Sequence, residues 1–164
     1  MINNQLEELY IKYQRDIYLY AFSLCKDHHM AQDLTSDTFF KALLSLDESK
    51  SYIKFWLFRV CKNLFLDAYR KSEEFSNTDA IENTLITEKT PLDKLIDSEE
   101  NRHLYNMVLS LRPSYREILI LYYYGDFSLK EISETTGLTE GAAKTLLFRA
   151  RKKLRAALEG NNEI

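Results

Sequence analysis

Six cations fall within the twelve residues from Lys144 to Arg155: Lys144, Arg149, Arg151, Lys152, Lys153 and Arg155. Ammonium and guanidinium groups packed this closely suit phosphate binding, and at helical spacing they can also donate to base edges. The chain as a whole is acidic, with 22 Lys and Arg against 25 Asp and Glu and a formal charge of −3. A few cations at a helix end can simply complement the helix dipole. Here six cations less the one acid, Glu140, leave five net charges between Thr139 and Arg155, more than a dipole needs. Projected at ~100° per residue, Ala143, Leu146, Leu147, Ala150, Leu154, Ala157 and Leu158 share one arc. Lys144, Thr145, Phe148, Arg149, Arg151, Lys152 and Arg155 occupy most of the rest. An ordinary solvated helix mixes signs, as Glu7, Glu8, Lys12, Arg15 and Asp16 do near the start. The single-signed surface predicts a helix that enters a DNA groove. Membrane or calmodulin-type binding needs bulkier apolar residues on the opposite arc.

Other reactive side chains are sparse. Cys25 and Cys61 match no metal spacing and read as small buried hydrophobes. His28 and His29 are adjacent, so on a helix they point ~100° apart and cannot grip one ion together. There is no nucleophile–base pair, phosphate loop or ligand cluster. The expectation is a protein that is not an enzyme and carries no cofactor or metal.

Only four Gly and two Pro occur in 164 residues, too few turn residues for a sheet-rich fold, so the chain is expected to be all-α. The first helix carries Leu6, Leu9, Tyr10, Tyr13, Ile17, Tyr20, Ala21 and Leu24 on one face. Asp27 is placed to cap the second, whose stripe is Ala31, Leu34, Thr38, Phe39, Ala42 and Leu46. A third carries Ile53, Trp56, Leu57, Val60, Leu64 and Ala68, which assigns Trp56 to the core, and ends near Lys71. From Glu73 to Glu100 nine acids face two bases with few apolar residues, the composition of a flexible acidic linker. Helical periodicity resumes at "SEENRHLYNMVLSL" and again from Pro113 to a terminator at Gly125. Ser128 and Glu131 form a capping box; Gly137 turns the chain and Thr139 caps the last helix. Two helices joined this tightly, with Ile132 and Leu138 at their contact and small Ser133 at their crossing, predict a helix-turn-helix. The predicted organisation is two small helical domains, 1–72 and 98–164, joined by an acidic linker at 73–97. No run approaches the ~18 apolar residues of a membrane span, and the start lacks signal-peptide order, so no membrane insertion and a cytoplasmic location are expected.

Three separated blocks resemble the extracytoplasmic-function (ECF) group of bacterial RNA polymerase sigma factors. "AQDLTSDTFFKAL" resembles the region 2 helix that grips the polymerase clamp, and "FWLFRVCKNLFLDAYRK" the segment that opens and reads the minus-ten element. The stretch from Leu111 to Arg155 resembles region 4, which reads the minus-thirty-five element. The resemblance implies core-polymerase contacts at Asp33, Leu34, Asp37 and Phe39, the two acids lying one turn apart where they suit a basic partner helix. It implies minus-ten contacts at Arg59, Lys62 and Asn63, with Lys50, Ser51 and Tyr52 in the loop that captures a flipped base. It implies minus-thirty-five contacts at Lys144, Thr145, Phe148, Arg149, Arg151 and Lys152. Ser36 stands where the family usually has glutamine; Ala142 and Ala143 replace a usual Thr-Val pair, and Leu146 a frequent basic residue. The implied partners are core RNA polymerase, promoter DNA and an anti-sigma factor. The rival reading is a helix-turn-helix regulator that is not a polymerase subunit.

Overall fold

A computed structural model describes residues 2–45, 53–75 and 98–162. Among them lie seven helices and no strand: α1 (Ile2–Cys25), α2 (His28–Ser45), α3 (Ile53–Phe75), α4 (Glu99–Leu109), α5 (Pro113–Tyr123), α6 (Leu129–Thr136) and α7 (Glu140–Asn162). The chain divides into two compact units, residues 1–84 and 85–164. The predicted all-α class is what the fold shows. Of the predicted linker, residues 76–97 lie outside the described residues, and so do Leu46 and the loop from Asp47 to Tyr52.

In the first unit α1 packs against both α2 and α3, which also pack on each other. Only two residues separate α1 from α2. Lys26 takes the left-handed conformation (φ 54°) and donates its backbone N–H to the Phe22 carbonyl, closing α1. Asp27 then caps α2, its carboxylate accepting from the backbone N–H groups of His29 (2.8 Å) and Met30 (3.1 Å). Ala31, Leu34, Thr38, Phe39 and Ala42 are buried, so α2 presents the face its periodicity predicts. The predicted stripe of α1 differs in two ways: Tyr10, assigned to it, is exposed, and the buried part is wider than expected. Tyr18, Leu19 and Phe22 are buried along with Ile17, Tyr20 and Ala21. Tyr20 meets Phe58 of α3 (5.1 Å between rings), while Phe22 stacks on His28 of α2 (4.5 Å) and Tyr18 Oη lies 3.1 Å from His28 Nδ1. Two neighbours thus cover two sides of the same half of the helix.

The face of α3 differs from the prediction. Leu57, Phe58 and Cys61 are fully buried, whereas Ile53, Trp56, Val60, Leu64 and Ala68 are half-buried. Trp56 therefore sits at the margin of the core. α3 also runs to Phe75, about one turn past Lys71, because no Gly or Pro between them stops it.

In the second unit α7 packs on α4, α5 and α6. Ser98 caps α4, its hydroxyl accepting from the Asn101 N–H (3.0 Å), and Pro113 opens α5. Arg116 is buried at the corner between them and donates to the carbonyls of Leu111 (3.2 Å) and Leu109 (3.4 Å). Those carbonyls lie past the end of the α4 ladder, so the side chain satisfies groups the helix leaves open. Burial lowers the Arg116 pKa from its ordinary value. Gly125 follows α5 without a positive φ; the left-handed residue is Asp126 (φ 56°). Glycine is required there for space instead, since a Cβ would stand 2.7 Å from the Leu121 carbonyl oxygen and 2.8 Å from the Phe127 ring.

Candidate nucleic-acid and polymerase interfaces

α6 and α7 form the predicted helix-turn-helix. The capping box is present in both directions: the Glu131 N–H donates to Ser128 Oγ (3.1 Å) and the Ser128 N–H to Glu131 Oε1 (2.9 Å). α6 ends at Gly137 (φ 83°), the left-handed conformation a side chain strains to adopt. The Ser133 hydroxyl donates to the Leu138 carbonyl, which ties α6 to the turn, and Thr139 Oγ1 accepts from the Ala142 N–H (3.1 Å). Ile132, Ala143, Leu147 and Ala150 are buried and fix which side of α7 faces inward.

The opposite side carries the cations. Lys144, Thr145, Phe148, Arg149, Arg151 and Lys152 are all exposed, and Phe148 leaves 68% of its surface open, an apolar ring amid charges. Lys144, Arg149 and Lys152 form no ion pair with any described residue. Such a ridge can meet phosphates and base edges, and the Phe148 ring can lie against a thymine methyl. Arg151 differs. Its Nε donates to Tyr123 Oη (2.7 Å), and its guanidinium carbon lies 5.1 Å from the Tyr122 ring centroid and 5.5 Å from that of Tyr123. The bond to Tyr123 pushes the guanidinium pKa further up.

On α3, Arg59 and Asn63 are exposed one turn apart and Lys62 is half-buried between them. The Arg59 guanidinium lies 5.4 Å from the Phe55 ring centroid, a contact that orients it along the helix. Lys50, Ser51 and Tyr52 lie outside the described residues.

The α2 residues separate into two groups. Asp33 and Asp37 are exposed, but Leu34 and Phe39 are buried at 4% and 5% exposure. Phe39 meets Tyr10 edge-on (5.0 Å) and floors a groove of about 490 Å³ between α1 and α2, also lined by Leu6, Glu7, Tyr10, Ser36, Phe40 and Leu43. Leu34 belongs to the core and can act on a partner only by holding the helix in place. The exposed apolar side chains are others: Phe40 (58%), Leu43 (41%) and Leu44 (70%). At ~100° per residue Asp33, Asp37, Phe40 and Leu44 form one stripe opposite the buried one. That signal was available in the sequence as two bulky apolar residues off the core period.

Three buried ionisable groups of the first unit stay neutral. Burial pushes the Cys61 thiol up to about 12 and the Cys25 thiol to about 11, so both stay protonated and unreactive. Burial likewise raises Tyr18 to about 12.

A helical chain in two units, one ending in a helix-turn-helix with an exposed cationic face, has the form of a transcription protein. Comparison with known proteins narrows the class. The Sigma-70 region 2 family matches residues 9–74, and the Sigma-70 region 4 family residues 102–154. The ECF RNA polymerase sigma factor SigM of Bacillus subtilis is 35% identical over 157 residues, covering 92% of this chain and 93% of that protein. The sigma factor YlaC of the same bacterium is 29% identical, covering 98% and 95%. Among solved structures, the Bartonella quintana sigma factor RpoE, in complex with the anti-sigma factor NepR, shares the fold at a TM-score of 0.75 and 24% identity, covering 94% of this chain and 97% of that one. The chain belongs to the ECF RNA polymerase sigma factors and acts as an alternative sigma factor. Among the described residues no helix is long and apolar enough to cross a membrane.

Proposed function

We propose that this sigma factor divides its work among three surfaces. The exposed α2 stripe of Asp33, Asp37, Phe40 and Leu44 docks on core RNA polymerase, with Leu34 and Phe39 supporting it from beneath. The α3 face of Arg59, Lys62 and Asn63 holds the opened minus-ten strand, and Lys50, Ser51 and Tyr52 contribute the loop that traps its flipped base. α7 reads the minus-thirty-five element through Lys144, Thr145, Phe148 and Arg149, with Arg151 and Lys152 on phosphates. Residues 1–72 and 98–164 act as separate modules, joined by the acidic segment 73–97. An anti-sigma factor covers these surfaces until a signal removes it. The protein works in the cytoplasm, where its polymerase is, and adds no catalysis of its own.

One observation carries the reading: Lys144, Arg149 and Lys152 stand exposed on the second helix of a helix-turn-helix, with no ion pair among the described residues. The test for the α2 surface is size-exclusion chromatography with sigma-free core polymerase. The wild-type chain should co-elute with the core, and a double Asp33→Lys, Asp37→Lys variant should elute free. Co-elution of that variant at wild-type affinity would remove α2 from the interface. For Asn63, an alanine variant should leave closed-complex binding intact and reduce permanganate reactivity of minus-ten thymines; normal reactivity would remove its role in opening.

A further inference from the structure

Tyr122, Tyr123 and Tyr124 close α5 but do not share a task. Tyr124 packs edge-on against Tyr105 (6.1 Å), joining the interior of its unit. Tyr123 is 51% exposed, too open to serve mainly as core. Its hydroxyl instead receives the Nε–H of Arg151, 28 residues along the chain. The Tyr122 and Tyr123 rings stand nearly perpendicular (85°, 5.1 Å apart) and both lie within cation–π range of the same guanidinium.

A guanidinium has five N–H donors. Tyr123 engages the one on Nε and Tyr122 also draws on the group, yet Arg151 is exposed, so its terminal nitrogens still offer N–H groups to a ligand as a fork. A fork of that shape suits two oxygens of one phosphate. Arg151 falls on the stripe of α7 shared by Lys144, Phe148 and Arg155 at ~100° per residue. A free arginine loses rotamer entropy when it grips a phosphate; one already held by a hydrogen bond and two rings has lost most of it beforehand.

We propose that Tyr123, aided by Tyr122, is a positioning residue that presents Arg151 as a preorganised phosphate clamp at the edge of the DNA-reading helix. The proposal rests on the reading that α7 faces DNA. The alternative is that Tyr123 and Arg151 merely brace α5 against α7, and salt dependence separates the two, because only a lost phosphate contact changes the number of counterions released.

The experiment uses holoenzyme assembled from this chain and core polymerase, and a duplex that the wild-type holoenzyme enriches from a randomised pool. Affinity is measured across roughly 50–200 mM salt for wild type, Tyr123→Phe, Arg151→Ala, the double variant and Lys144→Ala. Arg151→Ala should lower the log–log salt slope by about 0.9, so that its deficit shrinks about threefold over that range. Tyr123→Phe keeps the ring and loses the acceptor; it should weaken binding on the order of threefold with the slope retained. In the Arg151→Ala background the same change should do nothing. The slope does not depend on the fraction of chain that folds, so a destabilised variant still reports. A wild-type slope in Arg151→Ala, with a reduced one in Lys144→Ala, overturns the clamp and leaves the DNA-facing helix standing. Wild-type slopes in both overturn the underlying reading as well. An equal effect of Tyr123→Phe with and without Arg151 shows that the tyrosine acts by another route and overturns the proposal.

Discussion

Phe40 and Leu44 share an exposed stripe with Asp33 and Asp37, which gives α2 an amphipathic outer face as well as its buried one. Large apolar groups left open beside carboxylates fit a partner helix that offers both cations and aliphatic stems. Replacing Phe40 or Leu44 by alanine should weaken core-polymerase binding by about 1–3 kcal/mol, measured by titration, and leave the melting temperature near wild type. Leu34→Ala should do the reverse, destabilising the first unit by about 2–5 kcal/mol in a denaturant titration, because it empties a packed site. On α7, Lys144→Ala or Arg149→Ala should cost about 1–3 kcal/mol in promoter binding by the holoenzyme if a base contact is lost, and footprinting over the upstream element checks it. The cation ridge could be read from the sequence because charge sign and helical phase are local properties. The engagement of Arg151 could not, since its partner is an aromatic pair on another helix and no local pattern links the two.

At the scale of elements, caps and turns were the most legible features and helix faces the least. Asp27, Ser128 with Glu131, Gly137 and Thr139 all do what their residue types suggest, because a cap is a contact between neighbours in sequence. α3 shows the opposite case. It is apolar on nearly every side through "IKFWLFRVCKNLFL", so periodicity cannot select one face, and packing against α1 and α2 decides that Leu57, Phe58 and Cys61 go inward. Gly125 looked like a helix terminator, but close approach of the Leu121 carbonyl and the Phe127 ring is what requires it. Arg116, with no signature in the sequence, bonds two carbonyls at the α4–α5 corner. Arg116→Ala should destabilise the second unit by about 1–3 kcal/mol through those unpaired groups, read as a lower denaturation midpoint with the first unit unaffected.

At the scale of the whole molecule the proposed division of labour reconciles the acidic total with the cationic helix: most of the surface would serve the polymerase, and two patches, on α3 and α7, would serve DNA. The first unit also holds both thiols and the single tryptophan, which yields a pH prediction confined to it. Cys25, Cys61 and Tyr18 are neutral when protonated, and burial favours that form. The unfolded chain releases these protons near their ordinary values of 9.0 for cysteine and 10.0 for tyrosine, the folded chain only at about 11 to 12. The folded state therefore holds more protons in between, so stability is full below pH 9 and falls as pH rises towards about 12. The denaturation midpoint followed by Trp56 fluorescence should drop across this window, and less steeply in Cys61→Ala; a flat midpoint from pH 8 to 11 would contradict the buried-thiol account.

The most direct measurement is in vitro transcription with sigma-free core polymerase on a library of upstream regions from the host genome, with every transcript start sequenced. The account predicts new starts that appear only when chain and core are combined, each with a shared upstream element that weakens in importance when Lys144 and Arg149 are replaced. No new starts, together with tight duplex binding by the chain alone, would contradict it and point to a regulator that works outside the polymerase.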